Sequence, residues 1–437
     1  MSAETFRPLA PDTAIFRCDL PAYSLFYAPG YLVVVPAAQA EAFARESAGC
    51  ARTPLAQALV RRAQAALAAQ RALYQQPYRP VCLTLYLNNR CHLACTYCFA
   101  LPARPQADTP RLSLQAVQRA AEHVAENCRA RALPFTLVLH GGGEPTLDWR
   151  LAEDILGTAA AAAAPLPLFR YIATNGVVSE QRAHWLAQRF DLIGLSCDGP
   201  PDIQAQQRPL ANGQSSAPFV ERTAQILRAQ GTAFHVRVTL TAATLARQPE
   251  IAAYLCEQIQ PQEIHVEPVY GLGRGQPLSE QHVDDFVNGF FAARALAQTY
   301  GIAWRTSGSR PQDIHGAYCN VWRDVLHLLP GAAVTACFAA TNAQQAQNVA
   351  LGSVLPDPQR VRALREQLRR APAPCADCFN RFHCARGCPQ YCPLDEQAAF
   401  PAARCQAQKA LIFAHLQATA AALYARSPAI GGQEIAL

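Results

Sequence analysis

Six short apolar runs alternate with longer amphipathic stretches between about residue 81 and residue 300. The apolar runs are rich in β-branched and aromatic residues, which favour strands. They are 81–87, 134–140, 168–174, 191–196, 234–241 and 263–269. The amphipathic stretches have helical spacing and lie at 113–132, 149–163, 179–189, 217–230, 245–259 and 279–300. Strands that alternate with helices pair in parallel, so the pattern predicts an α/β fold whose sheet curls into an open or partial barrel.

The segments on either side of this array follow different patterns. Residues 1–80 contain two strand-like pieces and one helix rich in Ala and Arg, which predict a small β-hairpin and helical extension packed on the barrel. The barrel is expected to span 81–305, and a cysteine-rich domain is expected at 306–410. Residues 411–437 predict a C-terminal helix and a tail.

The composition is that of a folded protein outside the membrane. Of the 437 residues, 51 % are hydrophobic and 16 % are charged, which is enough apolar material for a sizeable core. No apolar run reaches the roughly 20 residues of a membrane span, and the N-terminus lacks the layout of a signal peptide. The formal charge of +6 is spread without a basic block. We therefore expect a cytoplasmic protein that binds neither nucleic acid nor membrane.

Seventeen cysteines change this picture. Disulfides are rare in a reducing cytoplasm, so metal or redox chemistry becomes the leading expectation. Cys91, Cys95 and Cys98 form a first group on one short loop. Three thiolates suit a 4Fe–4S cluster and leave one iron open to a small molecule, whereas a zinc site would need a fourth protein ligand.

A second group of cysteines lies near the C-terminal end of the chain. It comprises Cys319, Cys337, Cys375, Cys378, Cys384, Cys388 and Cys405. Two clusters with four thiolates each would need eight cysteines, so one cluster keeps an open iron or takes Cys392 as an additional ligand. Two structural zinc ions are the alternative.

Glycines and polar residues directly follow the predicted strands. The carboxyl ends of parallel barrel strands meet at one face, so we expect these residues to form a single site with the first cysteine group. Gly142 and Gly143 allow the backbone to approach a ligand closely, and Glu144 can pair with a cationic amine. Ser196 and Asp198 offer a hydroxyl and a carboxylate that suit a ribose.

Four further residues have alternative interpretations. Tyr97 either packs within its loop or provides a surface on which an adenine stacks. Arg208 either holds a carboxylate or lies at the surface. Arg237 and Glu267 belong to apolar strands, where an unpaired charge is costly, so each is either paired or directed at a ligand.

The cysteine spacing C-x3-C-x2-C at 91–98 and the GGEP motif at 142–145 resemble those of the radical S-adenosylmethionine (SAM) enzymes. The C-terminal cysteine spacing resembles the SPASM extension of the peptide-modifying members. The resemblance implies a partial (β/α)6 radical SAM barrel with a C-terminal Fe–S cluster-binding SPASM domain. It implies SAM and three 4Fe–4S clusters as cofactors, one cluster that binds SAM and two auxiliary ones.

The resemblance also implies ligand sets for the auxiliary clusters. Cys319, Cys337 and Cys388 would hold the first auxiliary cluster. The second would be held by Cys375, Cys378, Cys384 and Cys405. Cys91, Cys95 and Cys98 would hold the cluster that binds SAM. The SAM contacts would come from Tyr97, Gly142, Gly143, Glu144, Ser196, Asp198 and Arg208.

The activity that the resemblance implies is radical chemistry on a peptide. A 5′-deoxyadenosyl radical made from SAM would take hydrogen from a ribosomally synthesised precursor peptide and so form a crosslink or a related C–H modification. The implied partners are this peptide, a flavodoxin- or ferredoxin-type electron donor and, where leader recognition is separate, a leader-binding protein. An anaerobic sulfatase-maturase-like oxidase of protein residues is one alternative, although Val325 and Phe338 replace a cysteine and an aspartate of those enzymes. A non-catalytic metal-binding protein is the other alternative.

Overall fold

The computed structural model describes residues 6–100, 111–308, 310–317, 319–384, 402–426 and 433–436. These residues form two β-sheets, one of five strands and one of eleven, with helices packed against them. The candidate site lies on the larger sheet, and the smaller sheet includes both ends of the described chain.

The N-terminal segment forms an antiparallel sheet followed by two helices. The strands are β1 (Arg7–Pro8), β2 (Phe16–Asp19), β3 (Tyr23–Ala28) and β4 (Tyr31–Pro36), and the helices are α1 (Ala40–Ala48) and α2 (Pro54–Gln75). Helix α2 begins at Pro54 because the Thr53 side chain accepts a hydrogen bond from the Ala56 amide and proline fits the first helical position. The sheet is larger than the predicted hairpin, because β2 pairs with β3.

The six predicted central strands are present and all run parallel. They are β5 (Cys82–Tyr86), β6 (Phe135–His140), β7 (Leu168–Thr174), β8 (Leu192–Ser196), β9 (Phe234–Leu240) and β10 (Glu263–Pro268). They lie side by side in the order of the sequence. This order is that of a barrel, since a doubly wound sheet would reverse direction at a switch point. The predicted α/β partial barrel is confirmed.

Helices connect these strands and cover the sheet. They are α3 (Leu114–Arg131), α4 (Trp149–Ala163), α5 (Glu180–Arg189), α6 (Pro201–Gln207), α7 (Ala217–Ala229), α8 (Gln248–Tyr254) and α9 (Val283–Thr299). Two details differ from the prediction. The short helix α6 had no amphipathic pattern, and the helix predicted at 245–259 changes after α8 into a π-helical turn at Leu255–Ile259.

The barrel sheet continues beyond its six central strands on both sides. Strand β11 (Ala303–Arg305) adds parallel to β10. On the other edge, β12 (Val325–Leu328) pairs in parallel with β5, although the two strands are far apart in the sequence. Antiparallel pairing then adds β13 (Ala333–Thr335), β14 (Ala350–Ser353) and β15 (Leu355–Pro356). The cysteine-rich segment is therefore joined to the barrel by main-chain hydrogen bonds.

The C-terminal region provides three more helices and one strand. They are α10 (Pro358–Arg369), α11 (Arg381–Cys384), α12 (Ala402–Arg426) and β16 (Gln433–Ala436). Helix α12 begins before the predicted boundary at residue 411 and so carries Cys405. The predicted C-terminal tail contains β16, which pairs antiparallel with β4 and completes the smaller sheet.

The N-terminal sheet packs against the second cysteine group, where we expected it to pack on the barrel. Phe16 and Tyr27 share a buried cluster with Phe379 and Phe382, which lie between Cys378 and Cys384. Phe6 stacks on Phe379 with ring centroids 4.8 Å apart. These aromatic side chains pack on the apolar face of the N-terminal sheet, so the sheet supports the cysteine segment.

Among the helices of the described ranges, none combines the length and the apolar character that a membrane crossing requires.

We expect Phe382→Ala to lower the free energy of unfolding by about 3–5 kcal/mol, because a fully buried ring would leave a cavity. Phe169→Ala is the matched control, since that ring is 39 % exposed and should cost less than about 1 kcal/mol. Urea unfolding followed by circular dichroism measures both values. Equal costs would contradict the shared core.

Candidate functional site

A cavity of about 250 Å³ lies at the carboxyl ends of the central strands. Its wall contains nine of the ten residues that the sequence predicts for the first cluster and for SAM. They are Cys91, Cys95, Tyr97, Cys98, Gly142, Gly143, Glu144, Ser196 and Arg208. The tenth predicted residue, Asp198, lies behind the wall.

The start of the cysteine loop is held by the glycine run that follows β6. The Gly143 amide donates to the Asn88 carbonyl at 3.1 Å, and the Glu144 amide donates to the Arg90 carbonyl at 2.7 Å. A Cβ atom on Gly143 would lie 1.9 Å from the Arg90 carbonyl oxygen, and one on Gly142 would lie 2.1 Å from Asn89 Oδ1. These glycines therefore permit a close approach of the cysteine loop, in addition to lining the cavity.

The middle of the cysteine loop is held by the last residue of α6 and by the segment that follows it. The Ala94 amide donates to the Pro209 carbonyl at 2.8 Å, and the Thr96 amide donates to the Gln207 carbonyl at 3.0 Å. Leu93 and Leu210 add an isolated antiparallel bridge. Main-chain hydrogen bonds thus fix the middle of the loop.

The end of the cysteine loop is held by the GLGRG segment at 271–275. The Arg274 amide donates to the Cys98 carbonyl at 3.0 Å, and Arg274 Nη1 donates to the Cys95 carbonyl at 3.1 Å. Gly273 has a φ of +58°, and a Cβ atom there would lie 2.3 Å from the Cys98 carbonyl oxygen. This contact with the cysteine loop has no recognisable signal in the sequence.

The Cys91 sulfur lies among hydrogen-bond donors. The Leu93 amide donates to Cys91 Sγ at 3.4 Å, and Asn175 Nδ2 donates to it at 3.7 Å. Burial, with a contribution from Glu144, raises the pKa of the Cys91 thiol to about 12. The thiol thus keeps its proton at neutral pH unless a metal ion replaces it, and the two donors fit a metal-bound sulfur.

Glu144 is buried but has hydrogen-bonding capacity left. Its Oε1 atom accepts from Thr146 Oγ1 at 2.7 Å and from Thr174 Oγ1 at 2.8 Å. Its Oε2 atom accepts from the Asn175 amide at 2.8 Å. A carboxylate oxygen can accept more than one hydrogen bond, and Glu144 lines the cavity, so Oε2 is able to meet a cationic ligand group.

Asp198 is fully buried beneath the cavity wall. Its Oδ1 atom accepts from the Thr239 amide at 2.9 Å. Its Oδ2 atom accepts from Tyr97 Oη at 2.5 Å and Gln207 Nε2 at 2.8 Å, and it lies 3.2 Å from Arg208 Nε. Asp198 does not line the cavity and is fully buried, so the structure does not present it to a ribose there. It instead joins Tyr97 and Arg208, whose guanidinium lies 5.4 Å from the tyrosine ring centre.

Several wall residues did not enter the predicted site. Arg237 Nη1 donates to His140 Nε2 at 3.2 Å, and burial together with Arg237 lowers the pKa of His140 to about 4. Phe338 lies in the wall near Phe99, with ring centroids 6.5 Å apart. His265 also lines the cavity. A charge within an apolar strand was the available signal for Arg237, whereas the sequence pointed to Phe338 only as the residue that replaces an aspartate of the sulfatase maturases.

Glu267, the other charge within an apolar strand, is paired. It accepts hydrogen bonds from His265 Nε2 at 2.8 Å, from Tyr270 Oη at 2.6 Å and from the Ser307 amide at 2.7 Å. Burial opposes its charged form, but these hydrogen bonds lower the pKa of Glu267 to about 2. Glu267 is therefore a carboxylate at neutral pH.

The second cysteine group is brought together in part. A small cavity is lined by all four cysteines that the resemblance assigns to the second auxiliary cluster: Cys375, Cys378, Cys384 and Cys405. Cys319 and Cys337 are buried, and Cys319 Sγ lies 3.9 Å from the Ala336 carbonyl oxygen. Cys388 and Cys392 lie outside the described residues. Within the described ranges, no three His, Cys, Asp or Glu side chains have the spacing that holds a single metal ion.

We expect Gly143→Ala to lower the free energy of unfolding by about 1–3 kcal/mol, because the added methyl group overlaps the Arg90 carbonyl and displaces the cysteine loop. Gly157→Ala is the matched control. No atom lies within 4 Å of a Cβ at Gly157, so alanine there should stabilise α4 by about 0.5–1 kcal/mol. Denaturant unfolding of both variants decides the point, and a neutral Gly143→Ala would show that the loop does not need this contact.

The lowered pKa of Glu267 predicts a pH-dependent contribution to stability. The contribution is present above the ordinary carboxyl pKa and is lost as the pH falls towards about 2. Glu267→Gln should cost about 3 kcal/mol at pH 7 and about half of that at pH 3. Unfolding by urea at the two pH values measures the difference, and a cost that does not change with pH would exclude a charged, hydrogen-bonded Glu267.

A family model described as the radical SAM superfamily matches residues 85–245. The match begins within β5 and ends after β9. It includes the three cysteines of the loop, the glycine run and the segment that holds Asp198 and Arg208.

Two curated relatives match this chain over similar lengths. An uncharacterized protein of Methanocaldococcus jannaschii is 25 % identical over 174 residues, which are 40 % of this chain and 57 % of the relative. A cysteine-type anaerobic sulfatase-maturating enzyme of Clostridium perfringens is 26 % identical over 178 residues, which are 39 % of this chain and 47 % of the relative. The chain spans about half the length of the curated relatives it matches.

Two solved structures share the fold over most of the chain. Native anSMEcpe with bound AdoMet has a TM-score of 0.64 and 17 % identity, and the alignment covers 78 % of this chain and 99 % of that chain. Streptococcus suis SuiB bound to S-adenosylmethionine has a TM-score of 0.55 and 14 % identity, and the alignment covers 83 % of this chain and 85 % of that chain. The likeness extends beyond the central strands into the C-terminal region. The family model identifies residues 85–245 as a radical SAM domain, in agreement with the resemblance of the cysteine and glycine motifs.

Proposed function

We propose that the protein is a radical SAM maturase that modifies a ribosomally synthesised peptide. The observation that carries the proposal is the cavity around the three-cysteine loop, where Cys91, Cys95 and Cys98 share one wall with Glu144 and Arg208. Three cysteine ligands suit a 4Fe–4S cluster with one open iron. The carboxylate of Glu144 suits the amino group of SAM, and the guanidinium of Arg208 suits its carboxylate.

The residues of the cavity fit such a cluster and its SAM ligand. The Leu93 amide and Asn175 Nδ2 donate to the Cys91 sulfur, and such donors stabilise the negative charge of a metal-bound thiolate. When bound, a reduced cluster of this kind supplies the electron that splits SAM into methionine and a 5′-deoxyadenosyl radical, which takes a hydrogen atom from a substrate C–H bond.

The protein's own groups would orient SAM from two sides of the cavity. Glu144, held by Thr146 and Thr174, would accept a hydrogen bond from the SAM amino group through Oε2. Arg208, held by Asp198, would bind the SAM carboxylate. In this proposal Asp198 is a positioning residue, because it fixes both Tyr97 and Arg208 and does not itself reach the cavity.

The remaining predicted contacts belong to the nucleoside part of SAM. Ser196 lines the cavity at the end of β8 and would donate to a ribose hydroxyl. Tyr97 would offer one face of its ring to the adenine, since its hydroxyl group is held by Asp198. The apolar side chains of Leu93, Val238 and Phe338 lie in the same wall, and they would keep water away from a reactive intermediate.

The C-terminal cysteines are proposed to hold two auxiliary 4Fe–4S clusters of the SPASM type. Cys375, Cys378, Cys384 and Cys405 would hold the second of these, and their shared cavity supports this set. The first would be held by Cys319, Cys337 and Cys388. An electron donor of the flavodoxin or ferredoxin type and a separate leader-binding protein remain expected partners.

A peptide substrate is supported by the related structures. AnSMEcpe has been solved with AdoMet and a Cp18Cys peptide, and SuiB has been solved with its precursor peptide SuiA. Both structures have the fold of this chain over most of its length. A substrate that enters as an extended peptide is therefore the substrate class we propose here.

Sulfatase maturation is the second candidate function. The 26 % identity to a cysteine-type anaerobic sulfatase-maturating enzyme favours it. Against it stands Phe338, which directly follows Cys337 and places an apolar ring in the cavity wall where a proton acceptor would be needed. We therefore favour a crosslink or a related C–H modification over the oxidation of a sulfatase cysteine.

We expect anaerobic reconstitution to give about 12 iron atoms per chain, from three four-iron clusters, and to allow release of 5′-deoxyadenosine from SAM. Cys95→Ala should abolish that release and remove about four of the iron atoms, since only one cluster loses a ligand. Iron analysis and chromatography of 5′-deoxyadenosine measure the two quantities.

Cys50→Ala is the matched control, because Cys50 is exposed and isolated from both cysteine groups. It should keep the full iron content and the full rate of SAM cleavage. Undiminished cleavage by Cys95→Ala would contradict the assigned cluster site. About two zinc ions per chain without SAM cleavage would support the non-catalytic alternative.

A further inference from the structure

A second cavity, of about 400 Å³, lies beside the first, between the β10–α9 connection and helix α12. We call it the side cavity. Most of its wall is apolar, and the main apolar side chains are those of Val269, Pro277, Leu278, Val283, Phe286 and Leu411. Its volume lies in the range of about 300–1,000 Å³ that is typical of ligand pockets. Neither the cluster nor SAM, as placed above, uses this space.

The side cavity adjoins the cavity at the cysteine loop. Glu267, Pro268, Val269 and Tyr270 line both. The strand end of β10 is thus a common wall, with SAM proposed on one side and an apolar space on the other. A ligand bound in the side cavity would lie next to the place where a hydrogen atom is removed.

We propose that the side cavity binds a bulky apolar side chain, aromatic or branched aliphatic, of the peptide substrate. The side chain belongs to a residue close to the one that is modified. This inference rests on the proposed function, since it needs a peptide that reaches the cavity at the cysteine loop. It adds that the peptide is selected by an apolar residue as well as by its reacting group.

The polar groups at the edge of the side cavity suit the main chain around such a residue. Ser279, Glu280 and Gln408 lie in the wall and can hydrogen-bond to peptide amides and carbonyls. Gln406 Nε2 donates to Glu280 Oε2 at 3.0 Å, which ties α12 to the opposite wall. The Arg404 guanidinium lies 5.7 Å from the ring centre of Tyr270. An apolar centre with a polar edge is the usual arrangement of a binding pocket.

The segment 270–277 links the side cavity to the cysteine loop. Tyr270, Gly271 and Pro277 line the side cavity. Arg274, in the middle of the same segment, donates from its main-chain amide to the Cys98 carbonyl and from Nη1 to the Cys95 carbonyl. A side chain in the side cavity would therefore pack directly against the segment that holds the end of the cysteine loop. This contact would fix the position of the substrate relative to the loop.

The test uses small probes and the full-length, anaerobically reconstituted protein. N-acetyl-phenylalaninamide and N-acetyl-leucinamide should bind, and N-acetyl-aspartamide should bind at least tenfold more weakly, as measured by calorimetry or ligand-observed NMR. Leu278→Asp should weaken the binding of the phenylalanine probe at least tenfold, because it adds a charge to the apolar wall. Gln276→Asp is the matched control, because Gln276 is close to Leu278 in the sequence but is exposed and does not line the side cavity. This change should alter binding less than twofold.

A photoreactive benzoyl-phenylalanine derivative of the probe locates the site. Mass spectrometry should find the label within 267–286, 306–308 or 403–411, which include the residues that line the side cavity. The proposal is overturned if the phenylalanine probe does not bind at 10 mM, if Leu278→Asp leaves its binding unchanged, or if the label lies elsewhere. These readouts need no turnover. Probe binding without SAM cleavage would thus count against the proposed function alone, and SAM cleavage without probe binding would count against the side cavity alone.

Discussion

The close approach of three backbones around the cysteine loop is the constraint on which the rest of the site depends. Gly143 lies against the Arg90 carbonyl, and Gly273 lies against the Cys98 carbonyl. The last residue of α6 and the segment after it accept main-chain hydrogen bonds from Thr96 and Ala94. No larger residue fits at either glycine without displacing the loop, because a Cβ atom there would lie within 2.3 Å of a carbonyl oxygen. The loop is thus held at its start, middle and end by segments that follow different strands of one parallel sheet.

Side-chain charges are arranged around that backbone framework. Glu144 and Asp198 are both buried carboxylates, but they have different surroundings. Glu144 has hydroxyl and amide donors and faces the cavity, so one of its oxygens is able to meet a ligand. Asp198 is fully buried, and its partners are Tyr97, Gln207, Arg208 and a main-chain amide. It can therefore act on a ligand only through the side chains that it holds. A buried charge with this many partners is costly to separate from them, so Asp198 restrains the side chains of Tyr97 and Arg208.

The strands and the three-cysteine site could be predicted because their signals are local. Strand β7 was predicted with the bounds that the structure has, and the glycine run and cysteines follow their strands directly in the sequence. The placement of Asp198 could not be predicted, since it depends on partners from the cysteine loop, from the segment after α6 and from β9. The pairing of β12 with β5 and the packing of the N-terminal sheet on Phe379 and Phe382 join segments that are far apart in the chain. The contact between the GLGRG segment and Cys98 also joins distant parts of the chain. The sequence of GLGRG has no periodic pattern from which this contact could be predicted.

Three supporting segments hold Cys91, Cys95 and Cys98 around the cavity in which we propose an iron–sulfur cluster. Anomalous X-ray diffraction at the iron and zinc absorption edges, on crystals grown after anaerobic reconstitution, tests this claim most directly. We expect a strong iron signal within the cavity lined by Cys91, Cys95, Cys98 and Glu144. A zinc signal at that position, or iron confined to the cavity of Cys375, Cys378, Cys384 and Cys405, would contradict it.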